Sequence, residues 1–89
     1  MSVLLVTYDL NSPGQKHGQL LEELQSFAWA KLSESSYAIN TTLTPDQLFE
    51  RLKQYLDTND NLYIITLKKP WQGYGPKDVN EWLSNNLSF

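Results

Sequence analysis

The residues with the clearest capacity for chemistry follow the first apolar segment of the chain. Asp9 ends the run "SVLLVTYD", and Asn11 and Ser12 stand in the short polar loop after it. Mg²⁺ prefers oxygen ligands of these kinds and keeps several of its waters. The pattern makes Asp9 a candidate metal ligand and catalytic carboxylate, with Asn11 and Ser12 as further oxygen donors.

A structural role for Asp9 is the alternative. A carboxylate at the end of a strand accepts hydrogen bonds from loop amides or favours the N-terminus of the next helix. A short motif needs structural context before it indicates catalysis, which favours this alternative. His17, the only histidine, could act as a general base beside Asp9. The sequence has no cysteine and no second histidine, the usual ligands of a transition-metal site.

The loop "KKPWQGYGPK" contains the second set of candidate residues. Lysines next to aromatic rings bind nucleotides through phosphate attraction and stacking. The predicted ligand-binding residues are Lys68, Lys69, Trp71 and Tyr74. Alternatively, the two aromatic rings cover the sheet or a partner subunit, since aromatic residues are common interface anchors. The glycines of the loop do not match a phosphate-binding fingerprint, which favours the packing role.

Hydrophobic periodicity predicts the elements that position these residues. Four segments have the pattern of strands: "SVLLVTYD", "AWAKLSES", "SSYAINT" and "NLYIITL". A first helix begins between residues 13 and 17, with Ser12 and Gln15 as a capping box. The second helix, "TPDQLFERLKQYL", has Thr44 as its N-cap. A last helix, "DVNEWLSNNL", is predicted with Asp78 as its cap.

The order β-α-β-β-α-β is that of the split βαβ, or ferredoxin-like, α+β fold, here with an additional C-terminal helix. We expect a single domain over residues 1–89, with both main helices on one face of an antiparallel sheet. Apolar residues on both faces of several strands indicate that the second face meets the last helix, a partner or a ligand. Isologous pairing is the commonest solution, so a homodimer is predicted, with Trp29 and Trp82 as core or dimer contacts.

Composition limits the classes of partner. The 89 residues carry a formal net charge of -3, whereas proteins that bind phosphates of nucleic acid usually have a basic surface. We therefore expect weak nucleic-acid binding or none. No apolar run approaches the roughly 18 residues that span a membrane, and the opening "MSVLLVTYD" lacks the basic region of a signal peptide. A cytoplasmic protein is expected, without a cofactor unless Asp9 binds Mg²⁺.

The strand ending "LLVTYDL", followed by a helix, a hairpin and a second capped helix, resembles the small CRISPR-associated adaptation proteins of the second type. It is also similar to their relatives, the virulence-associated protein D toxins. The resemblance implies a ferredoxin-like homodimer. In the CRISPR family a "YDI/YDL" tail places an aspartate near the dimer axis, and Tyr8 and Asp9 match that tail. The resemblance further implies either metal-dependent phosphodiester cleavage at Asp9, as in some members of the family, or a structural dimer, as in others.

A group of bacterial and phage proteins with "YDLN-PGQ" openings and "W-G-G" loops before the last helix is more similar still. The arginines and the "SVFEG"-like third strand of the CRISPR family are replaced here by "NSPGQKHG" and "SSYAINT". These replacements and the acidic balance favour a non-catalytic homodimeric binding or interaction protein over a weak Mg²⁺-dependent phosphodiesterase. A small-nucleotide binder that uses the loop around Trp71 is the third hypothesis, and the sequence leaves open whether the protein is an enzyme.

Overall fold

The computed structural model describes residues 1–11 and 15–89, with the backbone alone at Gln15. Its strands and α-helices follow the predicted order. They are β1 (Ser2–Asp9), α1 (Gln15–Gln25), β2 (Ala28–Ser33), β3 (Ser36–Thr41), α2 (Pro45–Leu52), β4 (Asn61–Leu67) and α3 (Lys77–Asn86). Within the described ranges, no helix combines the length and the hydrophobicity needed to cross a membrane.

The strands form one antiparallel sheet in the order β2-β3-β1-β4. β1 is an inner strand, paired with β3 on one side and with β4 on the other. The β1–β4 register runs unbroken from Val3 opposite Leu67 to Asp9 opposite Asn61. Two interlocked βαβ units produce this strand order, so the predicted ferredoxin-like α+β fold with a C-terminal helix is confirmed.

The first two helices cover one face of the sheet and form the main core. Side chains on one face of a strand recur every second residue, and those on one face of a helix every three to four residues. The buried residues that meet there are Leu4, Val6 and Tyr8 of β1, Leu20 and Leu24 of α1, Tyr37 and Ile39 of β3, and Leu48 and Leu52 of α2. One apolar stripe of each helix thus faces the sheet.

α3 packs on the second face of the sheet and covers part of it. Leu83 and Leu87 are buried against Val3 of β1 and Ala38 of β3. Leu67, Trp71, Val79 and Trp82 pack around this second cluster. The last helix therefore occupies the end of the second face where β1 begins, while the end near Asp9 lies beyond α3.

The N-terminus of α2 confirms Thr44 as the N-cap, which forms a capping box with Gln47. The Thr44 hydroxyl accepts a hydrogen bond from the Gln47 amide at 3.2 Å, and the Gln47 side chain accepts one from the Thr44 amide at 3.0 Å. The predicted length of this helix was too great, because the α-helix ends at Leu52 and a single 3₁₀ turn, Lys53–Tyr55, follows. The Tyr55 hydroxyl donates to Glu23 of α1 at 3.1 Å, which holds the turn against the first helix.

The start of α3 differs from the prediction. Asp78 is not its cap, because the helix begins at Lys77 and Asp78 lies inside its first turn. The Asp78 carboxylate accepts a hydrogen bond from the neighbouring Val79 amide at 3.0 Å. The predicted capping role of Ser12 at the first helix lies outside the described residues.

Candidate functional site

Asp9 is the last residue of β1 and is exposed to solvent. Asn61, the first residue of β4, lies opposite it in the sheet register. The Asp9 carboxylate forms no ion pair with any residue that the structure describes. The carboxylate thus stands at the rim of the sheet, open to a metal or a ligand from outside.

The Asn11 amide, in the loop after β1, binds a carboxylate other than that of Asp9. Asp60, which precedes β4, accepts a hydrogen bond from the Asn11 amide at 2.7 Å and a second from the Asp57 amide at 2.8 Å. Both backbone hydrogen bonds lower the pKa of Asp60, and the one from the Asp57 amide has the larger effect. A structural role for Asp9 stays a prediction, because the Asn11 amide binds Asp60 and the next loop residues, 12–14, lie outside the described residues.

Lys16 adds a second connection between the same two regions. Its ammonium group lies 2.7 Å from the Asp57 carboxylate, which belongs to the turn before β4. The hydrogen bond with Asp57 and the charge of that carboxylate raise the pKa of Lys16. Both groups are about half exposed, so this ion pair orients the start of α1 more than it stabilises the fold.

Tyr8 and His17 meet behind Asp9. The Tyr8 hydroxyl lies 3.5 Å from Nε2 of His17, and the two rings are tilted with centroids 5.8 Å apart. Burial raises the pKa of Tyr8 to about 12, with smaller contributions from Tyr37 and Glu34. The Tyr8 phenol therefore stays protonated at neutral pH and can donate a hydrogen bond to the imidazole.

A shallow cleft of about 220 Å³ joins these groups. Its lining residues are Tyr8, Asp9, Leu10, His17, Glu34 and Ser35. No group of three or more histidine, aspartate or glutamate side chains with the spacing of a metal site occurs among the described residues. The described donors therefore do not fit a resident Mg²⁺ by themselves, and the predicted oxygen donor Ser12 lies outside the described residues.

The four predicted ligand-binding residues in the loop after β4 lie in different environments. Trp71 packs into the second cluster with Leu83 and Leu87, as the packing alternative expected. Tyr74 is fully exposed and therefore covers neither sheet face of its own chain. The Lys69 ammonium group lies 5.6 Å above the ring of Phe89, and Lys68 is exposed. The loop thus brings one aromatic ring to the core and leaves the other in solvent.

The second face of the sheet has an uncovered part that we call the open patch: Leu5, Thr7, Tyr63 and Ile65. Register pairs Leu5 with Ile65 and Thr7 with Tyr63, so the four side chains share one face. Tyr63 is 63% exposed and Ile65 is 51% exposed. The patch borders Asp9, which follows Thr7 on the same face of β1.

Sequence reasoning missed two of these features. The segment "DTND" predicted only a turn, although its two aspartates tie the loop after β1 to β4. The strand "NLYIITL" was assigned correctly, but the sequence did not show that it lies at the edge of the sheet without a charged residue. Trp29, predicted as a core or dimer contact, packs against Tyr37 with ring centroids 5.6 Å apart, and 41% of its surface is exposed.

No protein-family model matches the chain.

Proposed function

We propose that the protein is a non-catalytic, homodimeric binding protein that works through the open patch of its sheet. The observation that carries the proposal is the exposure of Tyr63 and Ile65, 63% and 51%, on a sheet face that α3 covers only in part. Large apolar side chains grouped on one exposed face are typical of protein interaction surfaces. A cytoplasmic location and a further protein partner remain predictions within this proposal.

The electrostatic character of the surface supports a protein partner over nucleic acid. The net charge is -3, and five of the seven basic side chains lie in ion pairs with carboxylates. Phosphate binding needs cations that are available to release counterions from the nucleic acid. The apolar patch, in contrast, fits a surface that is itself apolar.

The experiment is a measurement of mass in solution. Sedimentation equilibrium at about 100 μM, well above the dissociation constant expected for a small interface, should give close to twice the 10.3 kDa chain mass. Ile65→Asp places a charge in the open patch and is expected to yield monomers without a loss of thermal stability. Phe49→Asp, at a 41% exposed ring on α2, is the matched control and should leave the dimer intact. A wild-type monomer at these concentrations would contradict the homodimer.

A weak Mg²⁺-dependent phosphodiesterase is the second candidate. The observation in its favour is that Asp9, His17 and Glu34 line one cleft, which would supply a ligand and a general base. A cation there needs further donors, because one chain lacks a metal cluster among its described residues. Two Asp9 carboxylates meeting at a dimer axis would be one source. The Mg²⁺ experiment in the Discussion separates this candidate from the first.

A further inference from the structure

β4 is an edge strand without the usual protection. Its seven residues, Asn61–Leu67, include no charged residue and no proline, and its pairing with β1 has no bulge. Proteins blunt exposed edges with such features because a row of unpaired N–H and C=O groups recruits other strands. The opposite edge, β2, has both a charge at Lys31 and a register shift between Lys31 and Ser33. Of the two edge strands, β4 therefore has the weaker protection against pairing with another strand.

We propose that the β4 edge pairs antiparallel with the β4 edge of a second copy, giving one continuous sheet through both subunits. This proposal rests on the homodimer of the proposed function and specifies its geometry. A twofold axis perpendicular to the sheet makes the two neighbouring strands antiparallel and self-complementary. Ile64 is the middle residue of β4 and lies on the axis, so residues equally distant from it face each other.

Side chains on the open face match in this register. Tyr63 of one subunit faces Ile65 of the partner subunit, and the symmetry repeats the contact. Pairs of an aromatic and a β-branched side chain are among the favourable cross-strand pairs of antiparallel sheets. The two exposed large apolar side chains of the open patch therefore cover each other.

Charges at the strand ends match as well. Asp60 precedes β4 and Lys68 follows it, so Asp60 of one subunit faces Lys68 of the partner subunit. Lys68 is exposed and forms no ion pair among the described residues. A parallel arrangement would instead place each charge beside its own copy. Charge complementarity thus selects the antiparallel pairing.

The size of the contact sets the expected affinity. One seven-residue edge with two pairs of side chains buries less than the roughly 800 Å² per subunit of a standard interface. We therefore expect a dissociation constant on the order of micromolar, reached by backbone pairing and the Tyr63–Ile65 contacts.

The lack of cysteine allows a direct test by disulfide cross-linking. Tyr63→Cys and Ile65→Cys proteins are mixed in equal amounts and oxidised mildly. Because facing side chains in an antiparallel pair have Cβ atoms about 5 Å apart, the mixture should form linked dimers at least about tenfold faster than either protein alone. A mixture of Tyr74→Cys and Ile65→Cys is the control, since Tyr74 is fully exposed and lies outside the strand.

A charge reversal tests the register with both apolar side chains intact. Lys68→Glu places like charges at both ends of the paired strands and should weaken the dimer by about tenfold. Lys31→Glu makes the same change at the β2 edge and should alter the dissociation constant by less than about twofold.

The outcomes separate the geometry from the proposed function. A dimer without preferential linkage of positions 63 and 65, and without an effect of Lys68→Glu, would overturn the β4 pairing and leave the homodimer standing. A monomer in sedimentation equilibrium would overturn both. Preferential linkage together with the weakening by Lys68→Glu would establish the edge-to-edge dimer.

Discussion

Asn11 donates its backbone amide to the Asp60 carboxylate across 49 positions of sequence, at 2.7 Å. The same carboxylate accepts the Asp57 amide, so a single side chain joins the loop after β1 to the turn before β4. Asp9 stands close by in sequence, two residues before Asn11, yet takes no part in this connection. The aspartate that binds the Asn11 amide is therefore Asp60 and not Asp9.

The first prediction concerns Asp60. Asp60→Asn should destabilise the protein at pH 7, because the Asn11 and Asp57 amides bind different oxygens of the carboxylate and asparagine keeps an oxygen at only one of these positions. The pKa of Asp60 is lowered in the folded state, so its stabilising contribution is present above the unfolded pKa and is lost as the pH falls through the folded pKa. Urea unfolding at pH 7 and near pH 2 should show a difference between variant and wild type that shrinks in acid. Asp9→Asn is the matched control, and an equal loss in both variants would contradict the assignment.

The Asp60 contact also shows where sequence reasoning reaches its limit. The capping box of α2 is predictable because Thr44 and Gln47 are three residues apart and both hydrogen bonds form within one turn. The partner of Asn11 is distant in the chain, and no local pattern distinguishes Asp60 from Asp9 as its acceptor. Local signals therefore gave the elements and their order, while this long-range contact needed the structure.

The extent of the open patch could not be predicted from local sequence patterns either. The sequence indicated that two helices could not cover both faces of the sheet. It did not indicate how much of the second face α3 would cover. A helix of ten residues is about 15 Å long, whereas an eight-residue strand spans about 26 Å. α3 can therefore protect only part of β1, and which part depends on where Leu83 and Leu87 dock. That docking position is a property of packing between distant segments.

The second prediction tests the main core. Leu52 is fully buried between α2 and the sheet, so Leu52→Ala should lower the free energy of unfolding by about 2–5 kcal/mol through lost burial and a cavity. Phe49→Ala, on the exposed side of the same helix, should cost much less. Urea titration of both variants measures the difference, and similar costs would show that the buried stripe of α2 is misassigned.

The third prediction concerns alkaline pH. The folded pKa of Tyr8 is about 12, above its ordinary value of 10.0, so the stability that its burial contributes is complete below pH 10 and falls as the pH rises through 12. The loss is on the order of 2 kcal/mol. Tyr8→Phe should remove this part of the pH dependence, while Tyr74→Phe should not.

The pKa values of Lys16 and Tyr55 are also raised, so the Tyr8→Phe protein should keep a residual alkaline slope. Thermal unfolding between pH 8 and pH 12 measures both effects. Parallel curves for wild type and Tyr8→Phe would contradict the role assigned to burial at Tyr8.

The fourth prediction concerns nucleic acid. Lys68 and Lys69 are the two basic side chains that form no ion pair among the described residues, and two cations give little phosphate binding. Filter binding to mixed-sequence single-stranded RNA should therefore show no complex tighter than micromolar at physiological salt. Residual binding at low salt should have a log–log salt slope no steeper than about -1.4, the value for two released counterions. Nanomolar affinity would overturn the preference for a protein partner.

The last prediction returns to Asp9 and separates the two candidate functions. In the β4-paired dimer the two Asp9 residues lie three strand spacings apart and at opposite ends of the sheet, roughly 25 Å from each other. They cannot share a cation at that distance. Mg²⁺ at millimolar concentration should then leave the melting temperature unchanged, since a ligand stabilises a protein only if it binds the folded state. Asp9→Asn should change the free energy of unfolding by less than about 0.5 kcal/mol, as for a surface residue without a structural role. Differential scanning calorimetry of both proteins, with and without Mg²⁺, measures these quantities. A Mg²⁺-dependent rise in wild type that disappears in Asp9→Asn would instead support the phosphodiesterase, and would require a dimer in which the two carboxylates meet.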